Sequence, residues 1–472
     1  MTRKKKIALG VVALLALGAV VLVWRLRPEA LDNRFTGAYR VDPVGELGEA
    51  AIVVPSAAGG LRLRYPATGA SRPLWSIGGR RFRVGSAGTP VPPSRQPEEV
   101  VDFVLGADSR AASFTRYSDG RVLHTGERLP FREERFSFPG DELSLRAKLV
   151  LPKGPGPHPA VVIVHGSGKE SAVDTYDSPY LFAPHGIATL VYDKRGTGGS
   201  DGTYTQNFHV LARDVIAAVD ALRSRDEIES GNIHLSGYSQ GGWIAPLAAA
   251  RTTGIRSLLI GYGPMVPIVD EDRWGYVYTL GKEGHGGEAL AAADRIHETL
   301  VRIIDHGESE RWDELAGLLE EAEGQDWFDD LAGSDSTLGF LSAHRWLPLW
   351  AVRLYGWWMM RPIDGEPRAD RLYDPEPVVA ELEVPSLWIF GGDDHSMPTE
   401  WTVEKLRRLQ DQGSPVEILV YPEADHGILR FDRSAGKERR FIGYEPTYHR
   451  TQVQWLRRQS GLAAAEPAGD AP

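Results

Sequence analysis

Between residues 35 and 128, short apolar stretches at 51–54, 61–65, 80–84 and 100–105 alternate with glycine and proline punctuation. That spacing predicts a small all-β unit over 31–129, one that packs against a site or shapes it and carries no chemistry of its own. From Pro130 the pattern changes to strands alternating with helical periodicity, the signature of a mostly parallel sheet with helices on both faces. Strands are expected at 133–138 and 143–151, an antiparallel opening, then at 160–164, 188–192, 233–235, 257–260, 386–390 and 416–420. Nearly continuous apolar runs of this kind suit strands buried on both faces. Helical periodicity falls between them at 208–222, 243–250, 399–410 and 448–458.

More than 100 residues separate the strands at 257–260 and 386–390, too many for a connection. They carry helical patterns of their own at 288–304 and 311–323, and they hold Trp274, Trp312, Trp327, Trp346, Trp350, Trp357 and Trp358. We read 265–384 as a helical cap inserted over the carboxyl edge of the sheet, where open α/β folds bind ligands, with 130–264 and 385–461 forming the core. The tryptophans are expected in the cap's own core, with some in an apolar pocket wall. The tail 462–472, rich in Ala, Pro and Gly, is expected to be disordered.

Composition changes this picture at one end only. With 472 residues, 42% hydrophobic and 25% charged, the chain is long enough for two or three folded units, and its bulk resembles neither a disordered nor a polytopic membrane protein. A net charge of −11 repels phosphate backbones and argues against a nucleic-acid partner. The absence of cysteine excludes disulfides, thiolate metal sites and a cysteine nucleophile. No motif calls for a metal or cofactor, and none sets an oligomeric state. At the N-terminus, however, Arg3, Lys4, Lys5 and Lys6 precede an uncharged apolar run at 7–24 that ends on Trp24, followed by Arg25 and Arg27. The run is near the lower limit for crossing about 30 Å of hydrocarbon, so segment 1–30 reads as an N-terminal transmembrane helix serving as a membrane anchor. A cleaved signal peptide is the rival, and it fits less well because its apolar core is usually about 7–15 residues. The denser basic cluster comes first, which keeps the N-terminus cytoplasmic and puts the rest outside, in the periplasm or at the cell exterior. Arg25 and Arg27 pull weakly the other way.

Gly237, Tyr238, Ser239, Gln240 and Gly241 form Gly-x-Ser-x-Gly, and Gly242 follows. The pentapeptide alone is weak. Its context is specific: an apolar strand leads in at 233–235 and a helical run leads out at 243–250. Glycines on either side let strand and helix approach closely enough to force a serine hydroxyl into the open on a strained turn. Such a hydroxyl needs a base, and the base needs an orienting acid. After the strand at 386–390 come Asp393 and Asp394; after the one at 416–420 comes His426, followed by Gly427. Both loops lie at strand ends on the side of the serine. Only one of the adjacent aspartates can face the imidazole, and the residues by themselves leave that choice open. His395 lies in the wrong loop to be the base.

Taken together these motifs resemble the α/β-hydrolase superfamily over about 130–460. Its acid loop commonly reads Gly-x-x-Asp-x-x-x-Pro, which Gly391, Asp394 and Pro398 match, so the resemblance favours Asp394. It implies a Ser239, Asp394, His426 triad, with one oxyanion donor in the backbone N–H of Gln240. The run His165, Gly166, Ser167, Gly168 resembles the family's oxyanion loop and implies the Ser167 N–H as second donor, with Gly166 or Gly168 as alternatives. His165 is expected to be structural. Asp193 to Ser200 resembles the family's Asp-x-Arg-Gly-x-Gly-x-Ser turn; lacking a Gly-Lys-Ser/Thr ending, it is expected to hold Lys194 and Arg195 in ion pairs, not to bind phosphate. Within the superfamily the chain looks like the bacterial esterase and serine-aminopeptidase-like branch, with a β domain ahead of the core and a helical cap.

The resemblance implies hydrolysis of a small acyl ester of apolar character through an acyl-enzyme on Ser239. A peptidase or amidase is the alternative, since Glu308, Glu310, Asp313, Glu314, Glu320, Glu321 and Glu323 could draw a substrate amine, although most such charges form a solvated helix face. Thioester cleavage would use the same constellation. A membrane-anchored binding protein without activity is the reading from outside the enzymes.

Overall fold

The stretch Leu61-Arg62-Leu63-Arg64-Tyr65 shows how the first unit folds: alternate side chains point to opposite faces, so leucine and tyrosine are buried and the arginines face outward. The computed structural model describes residues 33–45, 48–56, 60–87, 99–363, 365–432 and 439–462. In it, β1 (Gly37–Gly45), β2 (Gly48–Pro55), β3 (Leu61–Tyr65), β4 (Ala70–Gly78), β5 (Arg81–Val84), β6 (Glu99–Leu105), β7 (Ala111–Ser118) and β8 (Arg121–Arg128) form a closed antiparallel barrel. Closure comes from β1 pairing with β8, Tyr39 opposite Arg128. Phe35, Tyr39, Phe82, Phe103 and Phe114 fill the interior, with ring centroids 4.7–6.3 Å apart, so the barrel is packed with its own side chains.

The second sheet contains β9 (Arg132–Gly140), β10 (Leu143–Leu151), β11 (His158–Val164), β12 (Ala188–Tyr192), β13 (Ile228–Tyr238), β14 (Ile255–Gly261), β15 (Ser386–Gly391) and β16 (Val416–Tyr421). Its order is β16-β15-β14-β13-β11-β12-β10-β9, parallel from β12 to β16 and antiparallel at β10 and β9. This is the α/β-hydrolase fold. Both faces are buried: in β11, Val162 and Val164 pack on one side and Val161 and Ile163 on the other. The first side is covered by α1 (Phe208–Arg223), α2 (Gly241–Arg251) and, after the cap, α8 (Thr399–Asp411). The second is covered by α9 (Tyr448–Gln459), by residues Ser178–Phe182 and by the outer face of the barrel through Ala38, Ile52 and Val54.

The long insertion is helical. It contains α3 (Ile268–Glu283), α4 (Gly287–Ile304), α5 (Trp312–Ala322), α6 (Thr337–Ala343) and α7 (Leu349–Met360), packed around Tyr276, Leu300, Leu315 and Leu338. A two-stranded hairpin follows β16: β17 (Leu429–Asp432) pairs with β18 (Arg440–Tyr444). Its Tyr444 N–H donates to Gly69 O at 2.8 Å, tying it to the barrel.

Several expectations fall at the edges of this description. Among the described residues no helix is long and apolar enough to cross a membrane, and segment 7–24 lies outside them. The tail beyond Leu462 also lies outside; Leu462 itself packs into the second core cluster. Of the tryptophans, Trp312 is buried in the cap core, whereas Trp346, Trp350 and Trp357 are exposed by 73%, 67% and 52%, which corrects the expectation of core or pocket wall for those three.

Candidate active site

Ser239 stands between the end of β13 and the start of α2, and its φ of +52° lies in the left-handed region that side chains other than glycine rarely adopt. Two hydrogen bonds hold the turn, Ser239 N–H to Gly261 O at 3.0 Å and Gly242 N–H to Ser239 O at 2.7 Å. The flanking glycines are demanded by space. A Cβ on Gly237 would run into the Gly241 carbonyl, and one on Gly241 into the Val164 carbonyl.

The loops after β15 and β16 bring Asp394 and His426 to this hydroxyl. His426 Nε2 lies 3.1 Å from Ser239 Oγ, and its Nδ1 lies 2.9 Å from Asp394 Oδ2. Asp394 is buried and also accepts the backbone N–H groups of Ser396 and Met397 at 2.9 Å each. Burial favours a neutral imidazole, but the Asp394 carboxylate outweighs it, with Glu271 and Asp425 adding to it, and the His426 pKa ends above its ordinary value. Asp393 turns the other way, toward the cap: Tyr278 Oη donates to its Oδ1 at 3.2 Å and Lys282 Nζ lies 2.9 Å from it.

Ser167 and Gln240, the expected oxyanion donors, line the same cavity as Ser239. Lys194 links them. Its Nζ donates to Gly166 O at 2.6 Å and to Gln240 Oε1 at 3.2 Å. The first of these is the carbonyl of the peptide whose N–H belongs to Ser167, so a charge-assisted bond at one end of that peptide polarises the donor at the other. Burial depresses the lysine to about 7. Tyr204 Oη fixes the next carbonyl, Ser167 O, at 2.6 Å. The expected ion pairs of this turn are thus half present. Arg195 binds Asp214 at 2.6 Å and Asp141 at 3.3 Å, while Lys194 serves the loop carbonyl. His165 is buried and pushed down to about 3, a neutral ring packed between Tyr176 and Tyr192.

Two further groups, Asp425 and Tyr262, went unmarked in the sequence, and a third, Trp274, was expected only in the cap's core or pocket wall. Asp425, buried just before the histidine, accepts His426 N–H at 2.7 Å and His395 Nδ1 at 2.7 Å, and it pairs with Arg439 of the hairpin. Although Asp394, His395 and Asp425 are close enough to suggest a cation site, these bonds already occupy their oxygens. Tyr262 sets its ring edge-on to His426, centroids 4.8 Å apart. Trp274 Nε1 of the cap donates to Asp394 O at 2.9 Å, so the cap grips the acid loop directly. Apart from His426 beside Asp425, their partners lie on other loops and elements, a signal that residue patterns lack.

Cap and core together line a cavity of about 910 Å³ above these groups. Its wall is mixed: Leu300, Ile304, Trp312 and Val352 alternate with Glu271, Asp272, Asp305 and Asp335. Arg371 matches Asp305 at 3.0 Å, and Ser396 Oγ donates to Asp335 at 2.8 Å. Burial, with Asp335, Asp394 and Asp272 nearby and His426 opposing, pushes the Glu271 carboxyl up to about 8. Chemically, the arrangement offers a hydroxyl beside a carboxylate-bound imidazole, in a cavity also lined by Ser167 and Gln240.

The sequence matches the family described as serine aminopeptidase, S33, over residues 155–287, a stretch that holds Ser167, Ser239 and Gln240. Esterase EstD of Thermotoga maritima is 26% identical over 354 residues, covering 70% of this chain and 72% of that protein. The 2,6-dihydropseudooxynicotine hydrolase of Paenarthrobacter nicotinovorans is 27% identical over 172 residues, covering 36% of this chain and 44% of that protein. Among solved structures, an esterase of Pyrococcus furiosus overlays with a TM-score of 0.42 at 16% identity, over 70% of this chain and 91% of that one.

Proposed function

We propose that the chain is a serine hydrolase of the esterase-like branch of the α/β-hydrolases and that it cleaves carboxylic esters through an acyl-enzyme on Ser239. The observation that carries this reading is the continuous path Ser239 Oγ, His426 Nε2, His426 Nδ1, Asp394 Oδ2, with contacts of 3.1 and 2.9 Å. His426 takes the hydroxyl proton as Ser239 attacks the acyl carbon, and the Gln240 and Ser167 amides hold the oxyanion. The imidazolium then protonates the leaving alcohol, and water repeats the sequence to release the acid. Asp394 fixes the ring tautomer and stabilises the cation. The apolar half of the cavity wall supports a small apolar acyl group as substrate, and EstD, an esterase by name, covers most of both chains.

A second reading, amide or peptide cleavage, is favoured by one observation. Glu271 faces the reaction chamber, and no lysine or arginine among the described residues pairs with it. A substrate amine there would ionise it and gain a partner. The two readings separate on one panel: aryl esters of increasing chain length beside aminoacyl anilides, with Glu271→Gln as the variant. Ester cleavage predicts that esters turn over faster and that the variant keeps this order. Faster anilide cleavage, lost in the variant, would reverse it.

The reading extends to location. The basic cluster at residues 3–6 ahead of the apolar run 7–24 supports a membrane anchor with the catalytic part outside the cytoplasm. In spheroplasts, added protease is expected to remove a C-terminal tag; a tag digested only after lysis contradicts that orientation.

A further inference from the structure

A helix on a water-facing surface normally turns one apolar stripe inward and a polar one outward. Helix α7 does otherwise. Its sequence, LWAVRLYGWWMM, has one charged residue in twelve. Val352 and Gly356 line the cavity that holds Ser239, and Leu349 packs with Val352 against the cap core, so one side is already satisfied. Trp350, Leu354 and Trp357, at the i, i+4, i+7 spacing of a single face, are exposed by 67%, 56% and 52%, and Trp346 just ahead of the helix by 73%. Indoles gathered in this way suit the boundary between water and lipid, where an apolar ring carries a polar N–H. The nearby charges fit that boundary too. Arg361 lies over the Trp357 ring at 4.6 Å, Arg353 of the same helix pairs with Asp313 at 2.7 Å, and Arg345, next to Trp346, pairs with Asp329.

What would cover the patch is suggested by the chain outside the described residues. An uncharged apolar run of 18 residues, 7–24, ends nine residues before the first described position, Asn33. Nine residues reach about 30 Å at full extension, so if the run is an anchor the folded body stays within that distance of a bilayer. We propose that the outer face formed by Trp346, Trp350, Leu354 and Trp357 rests on the lipid surface and that acyl esters dissolved in the bilayer enter the Ser239 cavity along α7. The substrate half of this inference rests on the ester-hydrolase reading; the docking half does not.

The absence of native cysteine makes the test direct, because a single introduced cysteine takes a label uniquely. The full-length chain carrying Leu354→Cys or Trp357→Cys, and as control Val122→Cys on the barrel surface, is labelled with an environment-sensitive fluorophore and reconstituted into phosphatidylcholine and phosphatidylglycerol vesicles. A bilayer-resident spin-labelled lipid is expected to quench positions 354 and 357 at least threefold more than 122. Equal quenching at all three positions overturns the proposal, as does label-to-label proximity at 354 that rises with protein density, which would mark a contact between two copies. A second arm compares vesicle-dispersed long-chain ester with water-soluble short-chain ester. The Trp350→Ser, Trp357→Ser double variant is expected to lower the ratio of vesicle to soluble rate about tenfold; an unchanged ratio overturns delivery from the lipid. Soluble-ester hydrolysis by the unsubstituted chain reports on the ester reading alone, so failure of that reading and failure of docking give different results.

Discussion

His426 is a base only while its ring is neutral. Asp394 holds it charged to a higher pH than an ordinary imidazole, so kcat/KM is expected to fall as pH drops through a value above 6.5, where the base becomes protonated. In Asp394→Asn the counter-charge is gone and burial remains, so the same limb should move to lower pH while kcat falls by about 10⁴-fold, the loss typical of an imidazole held in the wrong tautomer. A pH–rate profile of both proteins checks the two shifts together. Lys194 gives a subtler expectation. Lys194→Met removes the bond to the Gly166 carbonyl and should lower kcat about tenfold to a hundredfold with little change in KM, less than the about 100- to 1000-fold lost when an oxyanion donor itself goes. Steady-state kinetics on an aryl ester separates the two constants. The positions of Ser239 and His426 could be read from the sequence because each follows a recognisable strand, whereas the choice of Asp394 over Asp393 came from the family resemblance and not from the residues alone. Lys194 could not be read, since its partners lie 28 and 46 residues away.

At the scale of elements the turn around Ser239 is the most constrained part of the chain. Gly241→Ala would drive a methyl group into the Val164 carbonyl of the neighbouring strand, a backbone atom that cannot yield cheaply. The variant is expected to lose at least about 1–3 kcal/mol of stability, as overpacked cores do, measured by denaturant unfolding. The parallel strands β11 to β16 were legible because burial on both faces leaves uninterrupted apolar runs. The barrel was legible only as a class. Strands β4, β7 and β8 mix arginine with serine or threonine and few aliphatics, because much of their outer face meets solvent, and barrel closure depends on pairing residues about 90 positions apart, such as Tyr39 with Arg128. Hairpin β17–β18 was missed because its strands are only four and five residues long and it is tied to the barrel against which it lies.

Across the whole molecule the barrel is bound to the histidine loop. Arg64 of β3 pairs with Asp177 and stacks over Tyr444 at 5.2 Å; Tyr444 ends the hairpin whose Arg439 holds Asp425, the residue before His426. Burial opposes the guanidinium charge, yet Asp177 holds it firmly ionised. Arg64→Met, which strands a largely buried aspartate, is expected to cost about 2–3 kcal/mol, below the about 3–5 of a fully buried pair, and to lower kcat modestly by loosening the hairpin. Differential scanning calorimetry beside ester turnover checks both effects. Barrel, sheet, cap and loops converge on one oxygen, Ser239 Oγ. The most direct measurement is labelling by a serine-reactive phosphonate followed by peptide mass spectrometry. A single adduct on the peptide containing Ser239, absent from Ser239→Ala, is the expected result; equal labelling of the variant, or an adduct at another serine, would contradict the account.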